Sequence, residues 1–418
     1  MTDEAAPKRV AITGTFDVAN YGDLLFPLIA DYRLGAKGLK IVPVSPTTGT
    51  TVFADAVQPV GIGSLISGEE AVDAILIGGG YIIHQLLLDV LREYRESGVG
   101  DWGVPALWLG ATMAGALQDI PIAWNAPGVP LPFSTRLRDG MVATALRAAD
   151  YVAVRDRGSA QLLGSHDGTT VEVVPDTALD LAGLWPPATL TATFHELLRR
   201  KSTPGDRQSF AVHFRARSLG ETPLATLGGW IDEFARVHDL RPILIAIGPS
   251  LGDDADARDL SAHVATPHIL LDDPRSLTEI AAAIESSRLY LGASFHGYVT
   301  AACYGKPGAL VARPAHKKFS GLLEQIGRKQ DLAFDWRQAF DIAARNYASG
   351  IEIRLPSSVS QSLDAHWSRI AAAVADPLRG RNARIRFLRD YLHHGIEFEG
   401  ASWMLKPVLP RRRQEPPE

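Results

Sequence analysis

Short apolar runs alternate with amphipathic stretches along most of this chain. Residues 9–13 form a β-branched run, residues 17–22 are polar, and apolar residues recur at helical spacing over 24–34. This order predicts a strand, a loop and a helix, the opening unit of a doubly wound fold. Further units before residue 186 predict strands at 39–44, 74–77, 106–109, 122–124, 151–154 and 171–174, and helices at 86–96 and 137–149. Because these runs are mostly apolar, we expect strands buried on both faces of a parallel sheet.

Two prolines, Pro186 and Pro187, interrupt this alternation. A helix with a basic end is predicted at 189–201, and a second series has strands at 210–215, 243–247, 269–271, 289–291 and 309–311. Its helices are predicted at 224–238, at 277–287 and from near His296, and a long final helix at 357–375. We therefore predict an α/β protein with two Rossmann-like domains, 1–186 and 187–356, whose parallel sheets face across a cleft, followed by a C-terminal segment, 357–418.

Composition narrows the class of protein. With 46% hydrophobic and 21% charged residues there is enough apolar material for two cores, and a net charge of −5 gives no general attraction to nucleic acid. The single cysteine, Cys303, excludes an internal disulfide and fits a reducing compartment. The first residues are polar and no run approaches about 18 apolar residues, so we expect a cytoplasmic protein. Histidines and carboxylates show no ligand spacing, and no metal site is predicted.

Positive charge is concentrated near the C-terminus. Five arginines occur between residues 379 and 389. This pattern is typical of a solvated helix face, and the other interpretation is a patch that lies weakly against an anionic inner membrane surface. The predicted helix at 357–375 either packs back on the first domain or covers its own domain.

Candidate binding residues follow the predicted strands, because ligands of open parallel sheets bind beyond the carboxyl ends of the strands. After the first strand come Asn20, Gly22 and Asp23. Gly22 would let the backbone approach a ligand closely, and the alternative is a turn in which Asp23 caps the helix.

Two more candidate sites follow strands of the first half. Gly78, Gly79 and Gly80 come after the strand at 74–77 and match neither a phosphate loop nor a dinucleotide motif, so we interpret them as backbone that admits a ligand. Arg155 follows the strand at 151–154 and could bind a phosphate or carboxylate, or pair with Asp156 or another acid nearby.

In the second half, Arg215 closes the first predicted strand, with Asp232 or Glu233 as alternative ion-pair partners. The sharpest local signal is a buried strand, a turn of small residues and a helix, with Ser294 and His296 at the helix N-terminus. Because the helix dipole disfavours a protonated imidazole there, we expect a neutral His296 that can accept a proton. The alternative is a histidine satisfied within the core.

Six segments taken together resemble the polysaccharide pyruvyl transferase family in order and spacing. They are residues 14–23, 74–80, 151–159, 174–176, 213–215 and 293–297. The turn at 20–23 is similar to the family's Gly/Asn-Gly-Asp opening, and Arg155, Asp156 and Ser159 are similar to its Arg-Asp/Glu-x-x-Ser segment. The resemblance runs from about residue 9 to 312 and implies two Rossmann-like domains facing across a cleft, as in GT-B glycosyltransferases.

The resemblance also implies a reaction without a cofactor. A pyruvyl group passes from phosphoenolpyruvate, as co-substrate, to two hydroxyls of a sugar in an exopolysaccharide or cell-surface glycan and forms a ketal. His296 matches the histidine of the family's Ser-Arg-x-His segment and is the implied base, whereas Ser294 stands where many members have arginine. Because a serine offers one neutral hydroxyl instead of two charge-assisted bonds, Arg155 or Arg215 has to supply the missing charge.

Two other functions stay open. A glycosyltransferase that uses a nucleotide-sugar needs an acidic residue at the ribose, and Glu279, Asp272 and Asp273 are placed to serve. A non-catalytic protein that kept the fold and lost the donor site is the third hypothesis, and Ser294 is its main support.

Overall fold

We describe a computed structural model of the chain, in which residues 6–88, 91–166, 168–314 and 317–406 are placed. The first domain is built on a five-stranded sheet in the order β3-β2-β1-β4-β5, and every pairing is parallel. Its strands are β1 (Lys8–Thr13), β2 (Leu39–Ser45), β3 (Val60–Gly61), β4 (Ala74–Ile77) and β5 (Ile122–Trp124). A bridge between Ala123 and Tyr151 leads from β5 to a parallel pair, β6 (Ala153–Val154) and β7 (Glu172–Val173).

The second domain contains a six-stranded sheet in the order β10-β9-β8-β11-β12-β13, again with parallel pairings throughout. Its strands are β8 (Ser209–His213), β9 (Arg241–Ile245), β10 (Ile269–Leu271), β11 (Ser287–Gly292), β12 (Gly308–Val311) and β13 (Leu332–Ala333). The two sheets repeat one topology, in which the first strand of the domain lies between the second and the fourth. The predicted α/β class with two parallel sheets is confirmed.

Helices connect the strands and cover the sheets. Those before residue 187 are α1 (Tyr21–Gly35), α2 (Ile62–Ser67), α3 (Arg92–Ser97), α4 (Gly103–Pro105), α5 (Ala111–Gln118), α6 (Thr135–Leu137), α7 (Ala143–Ala148), α8 (Arg157–Leu163) and α9 (Leu181–Leu184). Those after it are α10 (Pro187–Arg200), α11 (Leu224–His238), α12 (Asp253–Ser261), α13 (Leu277–Glu285), α14 (Phe295–Cys303), α15 (Lys317–Gln325), α16 (Trp336–Ala348), α17 (Ser357–Ala375), α18 (Arg381–Glu399) and α19 (Ser402–Leu405). Short 3-10 turns lie at Thr177–Asp180, Ala216–Ser218, Pro249–Leu251 and Lys329–Asp331.

The central strands are buried on both faces, as their apolar runs predict. In β4, Ala74 and Leu76 join one hydrophobic cluster, and Ile75 and Ile77 join another on the opposite face of the sheet. Side chains alternate between the faces of a strand, so a strand covered on both sides needs apolar residues at every position.

The strand predicted at 106–109 is wrong. Residues Ala106–Gly110 form a π-helical segment that joins α4 to α5, and it buries Leu107 and Trp108. A short apolar run fits a buried helix as well as a buried strand, because at this length hydrophobic periodicity does not separate the two. The helix predicted at 86–96 is only partly correct: residues 86–88 are irregular, residues 89–90 lie outside the described part, and helix begins at Arg92.

The C-terminal segment contains more structure than one helix and a tail. Helix α17 has the predicted bounds, but it is followed by α18 and α19 rather than being the last helix. A solvated face is also wrong for Arg384, which is fully buried and donates to Asp150 at 3.0 Å and Asp119 at 3.2 Å. Residues 407–418, which include Arg411, Arg412 and Arg413, lie outside the described residues. Across the described residues, no helix is long and apolar enough to cross a membrane.

Candidate active site

The strand order of each sheet reverses at its centre, and the two reversal points meet across the domain interface. In the first sheet the reversal lies between β1 and β4, whose carboxyl ends lead into residues 14–23 and 78–80. In the second it lies between β8 and β11, which lead into residues 214–218 and 293–296. Ligands of open α/β sheets bind at such positions because helix N-termini and free loop backbone converge there.

Direct hydrogen bonds hold the two domains together beside these loops. The backbone N–H of Tyr21 donates to the carbonyl of Ile247 at 3.0 Å, and the Tyr21 hydroxyl lies 2.9 Å from the Thr300 hydroxyl. Asp55 of the first domain accepts from the backbone N–H groups of Leu277 at 2.6 Å and Thr278 at 2.9 Å, at the start of α13. The relative position of the site residues is therefore set by contacts that belong to the interface itself.

His296, the second residue of α14, lies against the first turn of α1. A Cβ added to Gly22 would overlap Nδ1 and Cγ of the imidazole, and Cε1 would be only 2.7 Å away. One turn further along α1, the ring of Phe26 meets the His296 ring edge-on, with 5.5 Å between centroids. The close approach that Gly22 permits is thus an approach to His296.

Asn20 and Asp23 form a hydrogen-bonded group at the same helix end. Helix α1 begins at Tyr21, so Asn20 occupies the N-cap position, and the interpretation of Asp23 as the cap is wrong. Asp23 Oδ2 accepts from Asn20 Nδ2 at 2.7 Å and from the Thr15 hydroxyl at 3.1 Å. These bonds leave the carboxylate group facing the space between the domains, where Asn20, Asp23 and Thr15 line one cavity.

The three glycines after β4 have different roles. A Cβ at Gly78 would overlap the carbonyl oxygen of Thr13, and one at Gly79 would overlap the ring of Phe26, so both positions serve close packing. Gly80 has φ of +79°, which favours glycine, and it lines the cavity beside Asp23.

Arg155, Asp176 and His296 converge on one carboxylate oxygen. Arg155 Nη1 donates to Asp176 Oδ2 at 3.2 Å, and His296 Nε2 lies 3.7 Å from the same oxygen. The other oxygen accepts from the backbone N–H of Ala178 at 3.0 Å. Burial alone would raise the pKa of Asp176, but the His296 imidazole and the Arg155 guanidinium outweigh it and hold the pKa at about 2. Of the two partners considered for Arg155, Asp156 lies farther, at 3.9 Å, and caps α8 instead.

Two aromatic rings and a lysine complete this side of the site. The Arg155 guanidinium carbon lies 4.2 Å from the ring centroid of Tyr81 and 5.0 Å from that of Phe295. Lys318 Nζ lies 4.9 Å and 5.5 Å from the same two centroids. Both cations therefore lie beside the same two rings, where cation–π attraction favours their positions.

On the second-domain side, Arg215 is held by Asp253 rather than by Asp232 or Glu233. Arg215 Nε lies 2.6 Å from Asp253 Oδ1, and His213 Nε2 lies 2.9 Å from Asp253 Oδ2. Burial would raise the pKa of Asp253, but the neighbouring His213 and Arg215 lower it on balance. The carboxylate thus orients Arg215 at the end of β8, at the edge of the cleft.

Ser294 acts as the N-cap of α14. Its hydroxyl accepts a hydrogen bond from the backbone N–H of Gly297 at 3.2 Å. This bond satisfies one of the free N–H groups of the first helical turn, and it fixes the turn that carries His296.

Two adjoining cavities occupy the cleft and share Asn20, Leu251, His296 and Lys318. The first has a volume of about 140 Å³ and is lined mainly from the second domain; its basic residues are Arg215, Arg217, Arg313 and Lys318. The second has a volume of about 210 Å³ and is lined mainly from the first domain. We call them the basic cavity and the mixed cavity.

Comparison with known proteins identifies the family. Residues 20–314, more than half of the chain, match the sequence model of the polysaccharide pyruvyl transferases. The chain belongs to the polysaccharide pyruvyl transferase family. No curated protein sequence matches this chain.

Solved structures confirm the fold of this family member. A UDP-GlcNAc 2-epimerase from Neisseria meningitidis, bound to UDP-GlcNAc, superposes with a TM-score of 0.52 at 12% identity and covers 87% of this chain and 100% of its own. A putative UDP-N-acetylglucosamine 2-epimerase from Listeria monocytogenes gives a TM-score of 0.49 at 15% identity, with 94% and 98% covered. The superposition on the Neisseria enzyme shows that the two-domain GT-B-like arrangement is shared, and the low identity limits the likeness to the fold.

In this polysaccharide pyruvyl transferase family member, several cations surround the position of Ser294. Arg155 reaches the mixed cavity and Arg215 the basic cavity, so both arginines expected from the sequence reach the cleft. Lys318, Arg217 and Arg313 were not expected. Arg217 and Arg313 follow β8 and β12, so the rule that placed the other candidates after strand ends could have found them. Lys318 follows no strand and lies beyond the matched region, and no sequence signal marks it.

The acids proposed for a nucleotide ribose are engaged elsewhere. Glu279 Oε1 accepts from Arg200 Nη2 at 2.7 Å, and Asp273 Oδ2 accepts from Arg200 Nη1 at 2.7 Å. Asp272 Oδ2 accepts from Arg258 Nη1 at 3.0 Å. Neither cavity is lined by any of the three. Throughout the placed residues, no group of three His, Cys, Asp or Glu side chains is arranged to hold a metal ion.

Proposed function

We propose that this protein transfers pyruvate as a ketal from phosphoenolpyruvate to two hydroxyls of a sugar in an exopolysaccharide or cell-surface glycan. In that reaction C3 of the donor gains a proton and C2 bonds to the first hydroxyl oxygen. The C2–O bond to phosphate then breaks with its electron pair on phosphate, and the second hydroxyl oxygen bonds to C2. The two hydroxyl protons account for the proton on C3 and the proton that leaves with phosphate.

The basic cavity beside His296 carries this proposal. Arg215, Arg217, Arg313 and Lys318 line it, and no acidic residue is among its described lining residues. Phosphoenolpyruvate bears a phosphate and a carboxylate within a few bonds of the reacting carbons, and such a ligand needs several cations in one small cavity. These side chains supply the charge that an arginine at position 294 would have supplied.

His296 is the proposed base for the attacking hydroxyl. It lies where the two cavities join, so a donor in one and an acceptor in the other would both reach it. Asp176 lies 3.7 Å from Nε2 and remains ionised, which stabilises the imidazolium that forms when the ring accepts a proton. Arg155 shares the same carboxylate oxygen and fixes its position.

The mixed cavity suits a sugar. Polar groups of Thr15, Asn20, Asp23 and His84 line one part of it, and these can bond to hydroxyls. Tyr81 adds an aromatic face, and Ile82, Leu88 and Leu91 add apolar surface that suits the non-polar faces of a pyranose ring.

Phosphate release tests the proposal. The protein is incubated with phosphoenolpyruvate and a panel of glycans that differ in the arrangement of their hydroxyl pairs, and the product is examined by NMR for a ketal methyl group. Wild-type protein should release phosphate only with a matching acceptor, and His296→Ala should lose most of the rate. His195→Ala, which changes an exposed histidine on α10, is the matched control and should keep the full rate. Absence of phosphate release with every acceptor, from folded protein, would refute the proposal.

A further inference from the structure

Lys318 lies at the junction of the two cavities and lines both. It belongs to the first turn of α15, and its Nζ lies within 5.5 Å of the ring centroids of Tyr81, Phe295 and Phe319. Three rings around one ammonium group exclude much of its water and restrict its direction. The side chain is thus held in the same space as His296.

In the described part of the chain, the ammonium group of Lys318 has no carboxylate partner, unlike two neighbouring arginines. Arg155 is paired with Asp176, and Arg215 is paired with Asp253. Lys318 has no carboxylate within 4.0 Å among the described residues. A cation that is partly removed from water and lacks a counter-ion destabilises the free protein, so an anion entering the cavity supplies the missing partner.

Charged groups on three other elements act on Lys318, and Arg313, which follows β12, lines the basic cavity with it. Arg155 follows β6, and Arg215 and Arg217 follow β8; all three repel a proton on Nζ. Asp23 of α1 acts in the opposite sense, and His296 of α14 lines the same two cavities. Desolvation and the three arginines together lower the pKa of Lys318 to about 7.

We infer that Lys318 is the acid of the proposed reaction: it takes up a proton when the anionic donor binds and delivers that proton to C3 of the enolpyruvyl group. This inference rests on the function proposed above. In the free protein near pH 8 most of the amine is neutral, and the negative phosphate and carboxylate of the donor favour its ammonium form. Donor binding therefore protonates Lys318.

The step then balances with His296 as the base. The Nζ–H bond breaks and its proton bonds to C3, while C2 bonds to the hydroxyl oxygen and the hydroxyl proton passes to His296. The Lys318 amine is left neutral, next to a newly formed imidazolium. When phosphate leaves, the second hydroxyl oxygen bonds to C2 and closes the ketal. The proton of that hydroxyl passes to the Lys318 amine, and phosphate carries away the proton held by His296. Acid and base are both restored.

Calorimetry of phosphoenolpyruvate binding at pH 8, in buffers of different ionisation enthalpy, tests proton uptake without any acceptor. Wild-type protein should take up close to one proton for each donor bound. Lys318→Arg keeps a permanent positive charge, so it should bind the donor with no such uptake. Lys329→Met is the matched control: it removes an exposed lysine on the turn after α15, and it should behave as wild type.

Phosphate release with a matching acceptor then tests proton delivery. Lys318→Arg should bind the donor within about tenfold of wild type and lose about 100-fold or more in kcat, because an arginine does not release a proton at this pH. Equal proton uptake and equal kcat in wild type and Lys318→Arg would overturn this inference and leave the proposed function standing. Wild-type protein that binds no phosphoenolpyruvate would overturn both.

Discussion

Replacing Gly22 by alanine is expected to displace His296 without unfolding the protein. A Cβ at position 22 would overlap three atoms of the imidazole; Nδ1 is the nearest, and even the third-nearest, Cε1, would lie only 2.7 Å away, where ordinary contact begins at 3.4 Å. Because Nδ1 lies nearer still than Cε1, the ring must move by more than about 1 Å to restore ordinary contact. Movement of helix α1 is opposed by the hydrogen bond from the N–H of Tyr21 to the carbonyl of Ile247 across the domain interface.

The size of the effect follows from this displacement. A misplacement of about 1 Å at a reacting group costs about 100-fold in rate, or about 2.7 kcal/mol of transition-state stabilisation. We expect Gly22→Ala to lower kcat for phosphate release by about 100-fold or more, because the imidazole has to move by more than that distance. Donor binding, measured by calorimetry, should change less than kcat, because the three atoms nearest to the added Cβ all belong to His296 and none belongs to the four cations of the basic cavity.

Gly35→Ala is the matched control on the same helix. Its added Cβ meets no atom within 4 Å, so activity should be unchanged, and stability should rise by up to about 1 kcal/mol. Thermal unfolding of both variants separates a local displacement from a loss of fold. Full activity in folded Gly22→Ala, or an equal loss in Gly35→Ala, would refute the reasoning.

Further predictions concern buried charges. Asp176→Asn should lower kcat by about 100-fold or more in steady-state kinetics, because the imidazolium of the base loses its counter-charge; an unchanged kcat would contradict this. Burial lowers the pKa of His366 to about 3, from its ordinary 6.5. Between these two pH values His366 is protonated in the unfolded chain but not in the folded protein. The free energy of unfolding therefore falls as the pH drops through this range. His366→Gln should flatten that fall in urea unfolding curves; an unaltered pH dependence would count against the assignment. Arg384→Met should destabilise by about 3–5 kcal/mol, because Asp150 is left buried with its charge unpaired, whereas the exposed Arg386→Met should change the melting temperature little.

The positions of most site loops were predictable from the sequence. Apolar runs at 74–77 and 289–291 predicted buried strands, and residues that follow such strands reach one edge of the sheet whatever the details of packing. Asn20, Arg155 and His296 could therefore be named as candidates without knowledge of the fold, and all three line the cleft. Their partners were not, because Asp176 lies 120 residues before His296 and a sequence does not show which strand ends meet.

Some functions of individual residues depended on contacts between domains. The sequence suggested that Gly22 lets a ligand approach the backbone, whereas in the structure His296 lies against it. Ser294 suggested that the donor site had been lost, but cations from other loops surround this position. Lys318 carried no signal, because a lysine at the start of a helix is ordinary until tertiary packing surrounds it with rings and arginines.

The sequence by itself determined the α/β class, the two parallel sheets and the strand ends that bear the candidate residues, since these depend on local periodicity and on burial along each strand. Only the tertiary structure decided that residues 106–109 continue a helix, that Arg384 is buried, and that one carboxylate oxygen serves both Arg155 and His296. These contacts depend on distances between segments that are far apart in the chain. Tertiary packing sets those distances, and the local sequence does not predict them.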